Sequence, residues 1–271
     1  EFRRVLFRSV DGGGGSRGGA IVRIRLTYSK LGKIRFLGHL DMARLWERSL
    51  RRVGVAVSMS AGFTPRPKLS FGLALPTGAE SLIEIFDMVV DEPIEPAELP
   101  ARLAPALPPG VAVTSAGEAG SQLLQEDVTA TTWILAVSAP AVDVSERIDR
   151  LVGADECWIE RERKGERRRD DVRPGVLDLG IVGEAPRATL PDEWTSAVAG
   201  STLVEATLTT SGRGVRPTEL VEILLPGVEP WSVMSRVIRT HQWIERSDAP
   251  CAPFSVRAGK DFRHERRLVV N

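Results

Sequence analysis

The chain has 271 residues, 42% of them hydrophobic and 27% charged, with a formal net charge of zero. This is the composition of a folded protein of one large or two ordinary domains, and it excludes both a disordered tail and a uniformly basic nucleic-acid coat. No apolar run approaches the roughly 20 residues that cross a bilayer, and no charged-then-apolar start resembles a signal peptide, so a cytoplasmic protein with no membrane partner is expected.

The chain begins with EFRRVLFRS, Glu1 to Ser9, which reads as a translated sequencing adaptor, followed by the linker-like DGGGGSRGG. Residues 1–20 are therefore set apart from the fold, and the natural start is expected to lie elsewhere, with room for a preceding domain. Ile21 to Tyr28 alternates apolar and polar side chains and predicts a strand. From His39 to Val53 the period changes. Leu40, Ala43, Trp46, Leu50 and Val53 fall on one arc and Arg44, Arg48, Arg51 and Arg52 on another, which predicts an amphipathic helix with a basic stripe, Asp41 in its first turn and Gly54 at its end. Val55–Ser60 and Leu69–Leu75 read as strand pieces separated by a loop containing Gly62, Pro65 and Pro67. Ile83–Val90 is a further strand, Leu99, Leu103 and Leu107 mark a short helix, and a strand follows near Val111. The order is βαββαβ.

A polar stretch precedes a second series. Trp133–Val137, Cys157–Glu162, Leu203–Leu208 and Met234–Glu245 read as strands, with helices at Val144–Val152 and Pro217–Leu225. Two βαββαβ units predict an α+β protein of tandem ferredoxin-like architecture, antiparallel sheets with helices on one face. The expected divisions are 21–117 and 132–246, a linker at 118–131 and a tail at 247–271.

Charge is unevenly distributed. Arg23 to Gly72 carries eleven Lys or Arg against two acids, and Glu80 to Glu98 carries seven acids and no base. Such segregation produces a basic face unless interleaved strands bring the two signs together as ion pairs. The loop GFTPRPK, Gly62 to Lys68, displays Phe63, Arg66 and Lys68 between fixed prolines. Cations suit a phosphate backbone and aromatic rings suit unstacked bases, so Arg44, Arg48, Arg51, Phe63, Arg66 and Lys68 are the candidate nucleic-acid contacts. Phe71 extends the set, or else it is a core residue.

Candidate catalytic groups are few. His39 and Asp41 stand two apart at a helix start and point in different directions. Glu160 to Arg173, ERERKGERRRDDVR, predicts a hairpin turning at Gly165, whose Arg167 to Arg169 could grip phosphate while Asp170 or Asp171 acts chemically. Cys157 and Cys251 stand far apart with no CxxC spacing, and with three histidines, His39, His241 and His264, no metal site is expected.

The run Arg35 to Gly78 carries Arg35-Phe36, His39-Leu40-Asp41, the arginine-rich helix, Gly62 to Lys68 and Pro76 to Gly78. In that combination, with Asp170 to Pro174 and Val237 to Glu245, it resembles the radical-SAM-associated (radical-SAM-linked) domain-of-unknown-function family. Gly38 departs from the family's usual serine or threonine cap and Arg66 from its common histidine. The resemblance implies a radical SAM protein as partner, fused upstream or separate, which would use S-adenosylmethionine and an iron-sulfur cluster. This chain lacks the closely spaced cysteines such a cluster needs and is expected to bind no cofactor itself. The expected function is an accessory module that binds or presents RNA for modification. A free-standing RNA-modifying enzyme, pseudouridine-synthase-like or nuclease-like, and a pure protein-docking module are the alternatives.

Overall fold

A computed structural model describes residues 22–119, 128–163, 165–245 and 266–268. The expectations for residues 1–20, for most of the 118–131 segment, for Cys251 and for His264 lie outside them. The protein is α+β, built on a nine-stranded mixed sheet with a separate two-stranded ribbon.

In the first half, β1 (Val22–Lys30) leads into α1 (His39–Arg52), then β2 (Leu69–Phe71), β3 (Glu80–Val90), α2 (Leu99–Leu103) and β4 (Val111–Glu118). β1 lies between β3 and β4, and β2 pairs with β3, all antiparallel. The alternation read from the sequence is the physical cause: Ile24, Leu26 and Tyr28 of β1 and Phe86, Met88 and Val90 of β3 point to one face. There they meet Met42, Leu45, Trp46 and Leu50 of α1, and Leu99 and Leu103 of α2. Trp46 is the centre, its ring 4.9 Å from Tyr28 and 4.7 Å from Phe86. The buried arc of α1 is thus displaced from the expected one: Leu40, placed on the apolar arc, is 68% exposed, and Met42 and Leu45 are buried instead. Of the expected strand at Val55–Ser60, only isolated bridges at Val57 and Met59 form.

The second half runs β5 (Val128–Val137), α3 (Ala141–Val152), the ribbon β6 (Trp158–Arg163) and β7 (Glu166–Asp171), then β8 (Val176–Ile181), α4 (Glu184–Ala188), α5 (Asp192–Ala197), β9 (Thr202–Thr209), α6 (Pro217–Leu224), α7 (Pro230–Val233) and β10 (Met234–Glu245). The hairpin turning at Gly165 forms as expected, with positive φ at the glycine. The 157–162 strand does not enter the main sheet, however. β8 takes the edge beside β9, giving the order β10-β5-β9-β8, antiparallel throughout.

Helices do not keep to one face. Trp133, Leu135 and Val137 of β5 pack under α3 and α6, whereas Ile134 and Ala136 point the opposite way to Leu190, Trp194 and Val198. A central strand buried on both faces requires cover on both, and α5 supplies the second layer. The halves join where β10 pairs with β3, Ile238 beside Glu80 and Arg239 beside Ser81. This pairing is parallel, so the sheet is mixed and not the expected pair of antiparallel sheets. No helix among the described residues is long and apolar enough to cross a membrane.

Candidate nucleic-acid interface

The acidic run and its bases sort into two groups. Asp87 of β3 receives Arg25 of β1 at 2.8 Å, Glu80 faces Arg236 of β10 at 3.3 Å, and Glu84 receives Arg239 at 2.5 Å. Three of the seven acids read at 80–98 are therefore neutralised within the sheet. The bases of α1 and of the following loop are not. Arg44, Arg48, Arg51, Arg66 and Lys68 are exposed, and the one ion pair among them in the described residues is Arg44 to Asp41 at 3.6 Å, between two exposed side chains. Such a pair contributes about 0–1 kcal/mol and leaves the guanidinium free to exchange partners.

The loop is held by its backbone. Ser60 N–H donates to the Arg66 carbonyl, Lys68 N–H to the Ser58 carbonyl, and Arg66 N–H to the Ser60 hydroxyl. Gly62, at φ 123°, adopts a backbone that other residues rarely do. Phe63 at the tip is 109% exposed, so it belongs to no core. Phe71, at the loop's return, is half-buried, its ring 5.4 Å from Phe86 and 5.1 Å from His39. Phe36, which enters the family resemblance but not the expected contacts, is also exposed and has the Arg35 guanidinium 4.4 Å from its ring centre. The signal was the Arg-Phe pair immediately before the helix.

The catalytic candidates are not brought together. The His39 ring stands edge-on to Phe71, while Asp41 turns to Arg44. Asp170 is in the β6–β7 ribbon between Arg161, at 2.8 Å, and Arg213, at 3.1 Å. The hydrogen bond from Arg213, with Arg161 beside it, holds this carboxyl below the usual carboxylate range. Asp171 accepts the backbone N–H groups of Cys157 and Arg173, which closes the turn. Arg167, Arg168 and Arg169 are exposed along the ribbon, with Arg169 over the Trp158 ring at 4.9 Å. Among the described residues no group of three or more His, Cys, Asp or Glu is placed to hold a metal ion.

Beside the basic helix lies a cavity of about 20 Å³ lined by Tyr28, Lys30, His39, Phe71 and Glu84, among others. Its floor is charged and buried: Lys30 is 3% exposed and Glu84 6%, and Arg239 behind it is 1% exposed. Arg239 donates to Glu84 and to the Leu73 carbonyl and sits over Trp133. Burial pushes the Lys30 ammonium below the ordinary lysine range, an effect that Glu84 opposes and Arg239 reinforces. Burial, aided by Glu84, pushes the Tyr28 phenol well above its ordinary value. Sequence reasoning missed this cluster because its members come from strands far apart in the chain.

No curated protein matches the chain. Among solved structures it is similar to a chain of the crystal structure of a Cbf5-Nop10-Gar1 complex, with 8% identity and a TM-score of 0.41 over 81% of its own length. It spans about half of that protein, 48%. Residues 23–217 match the family described as "Uncharacterized protein conserved in bacteria" (DUF2344), which takes in the basic helix, the loop and the ribbon, and the chain belongs to that family.

Proposed function

We propose that this protein is an accessory module that holds single-stranded RNA on the face formed by α1 and the 60–68 loop, for modification by a radical SAM partner. The observation that carries the reading is the split of charge: Arg25, Arg236 and Arg239 of the sheet are paired with the acidic strand, while Arg48, Arg51, Arg66 and Lys68 have no ion-pair partner among the described residues. Exposed aromatic rings supply stacking faces at Phe63, in the loop that carries Arg66 and Lys68, and at Phe36, beside Arg35. The radical SAM association rests on the resemblance carried by Arg35 to Gly78, which implies as partner an iron-sulfur enzyme that uses S-adenosylmethionine.

The strand orders β4-β1-β3 with β2 on β3, and β10-β5-β9-β8, support a finer reading of the fold as two ferredoxin-like units fused edge to edge. In that reading the β6–β7 ribbon is an insertion in the second unit.

The test is fluorescence anisotropy with a short unstructured RNA across a salt series. Each phosphate contact to a single strand contributes about 0.7 to the slope of log affinity against log salt, so R44A/R48A/R51A should flatten it by about 2. A folded triple variant with unchanged affinity and slope removes α1 from the interface and favours a protein-docking surface.

A further inference from the structure

The floor of the cavity beside α1 contains a buried cation, Lys30, that no ion pair balances among the described residues. Lys30 has no carboxylate within ion-pair distance among the described residues, and its ammonium donates to a single acceptor, the Leu37 carbonyl at 2.7 Å. Glu84 also lines the cavity, but its Oε1 accepts two donors from Arg239, so those two charges cancel. An ammonium this deeply buried requires a counter-charge or gives up its proton. Two of its three N–H donors are without an acceptor among the described residues.

The walls continue the pattern outward. His39 and Met42, in the first turn of α1, line the cavity. Gly38, at the cap, has no side chain to offer the first-turn backbone N–H groups, which therefore lack the usual acceptor. A 14-residue helix presents the positive end of its dipole at this position. The cavity, about 20 Å³, has room for one or two water-sized atoms. It admits an oxygen of a larger group and leaves the rest of that group at the mouth.

We infer that this cavity binds a phosphate monoester, one anionic oxygen entering beside Lys30 while the others meet the first-turn N–H groups of α1 and the His39 ring. A phosphate monoester suits the site better than a carboxylate, because its second negative charge can be shared between the Lys30 ammonium and the positive end of the α1 dipole. The phosphate comes either from the end of an RNA strand, which rests on the RNA-binding reading above, or from a free phosphate compound.

Two measurements on the full chain separate these sources. The first follows the Lys30 side-chain signal by NMR in lysine-labelled protein titrated with inorganic phosphate, with chloride at equal ionic strength as control. The second compares one short RNA with a terminal phosphate and with a terminal hydroxyl. The expected results are a saturable shift of Lys30 and binding of the phosphorylated strand roughly 10- to 100-fold tighter, as expected for one charge-assisted hydrogen bond. K30M should abolish the preference for the phosphorylated strand and leave the hydroxyl strand's affinity unchanged. A Lys30 shift with no preference between strands assigns the site to a free phosphate. An unmoved Lys30 signal together with equal binding of the two strands overturns the inference in wild-type protein, whatever the folding of K30M. Because the hydroxyl strand reports on the face of α1 and the 60–68 loop without the cavity, a failure of the cavity is distinguishable from a failure of the RNA-binding face.

Discussion

Arg66 and Lys68 differ from Phe71, a few residues on, in what each side chain touches. The two cations extend into solvent, and the loop that holds them is tied by backbone groups which substitution leaves in place. R66A/K68A should therefore change stability by no more than about 0.5 kcal/mol while weakening RNA binding. F71A removes a half-buried ring set against Phe86 and His39. It should cost roughly 1–3 kcal/mol in urea denaturation, below the value of about 3–5 for a fully enclosed phenylalanine. A double cation variant as unstable as F71A would show that one of the cations has an internal partner. At the same scale, Asp170 shows how a candidate nucleophile in sequence becomes a structural group. Two arginines approach it within 3.1 Å and draw its charge into the join between the ribbon and the loop before α6.

For the elements, the sequence pattern conveyed the period more faithfully than the phase. The 3.6-residue repeat located α1 and its exposed arginines, yet the buried side centres on Trp46 with Met42, Leu45 and Ser49, not on Leu40 and Ala43. Leucine and alanine are apolar but do not have to be buried, and only the partners on β1 and β3 decide which flank of the helix turns inward. W46A should cost about 3–5 kcal/mol, whereas L40S should remain within about 0.5 kcal/mol, both read from denaturant midpoints. Equal losses would place Leu40 in a contact. Period-two alternation likewise revealed β1, β3, β5 and β9. It missed β8, whose six residues VLDLGI contain a glycine and a single clean alternation, and it assigned the neighbouring β6 to the main sheet. The charged residues of β6 and β7 fit a solvated ribbon better than an edge covered on both faces. The candidate RNA contacts were legible as exposed cations on a helix and a loop. The Lys30 cavity was not, because local patterns carry no information about which distant strand supplies a neighbour.

For the whole molecule, the join between β3 and β10 governs how the halves act together. Two backbone pairings form it, and the buried Arg239–Glu84 contact crosses it. Removing one member of such a pair strands a charge, at a cost of about 3–5 kcal/mol, whereas replacing both by apolar groups is often neutral. R239M should therefore lower stability by that amount, and R239M/E84M should recover most of it in the same denaturation experiment. A double variant no better than the single one would move the origin of the loss to the Leu73 carbonyl or the Trp133 ring, which Arg239 also contacts.

The same join has a consequence for the growing chain. Glu84 and Arg239 are 155 residues apart, so at about 5–20 residues per second the ribosome completes β3 roughly 8 to 30 s before β10 exists. Through most of that interval, once α2 and β4 have followed, the start of β3, with Glu80 and Ser81, is an uncovered sheet edge beside an apolar core that is complete in sequence. Its two acids, Glu80 and Glu84, then serve a second purpose: until Arg236 and Arg239 emerge they are solvated negative charges on an open edge, which discourages pairing with the wrong strand.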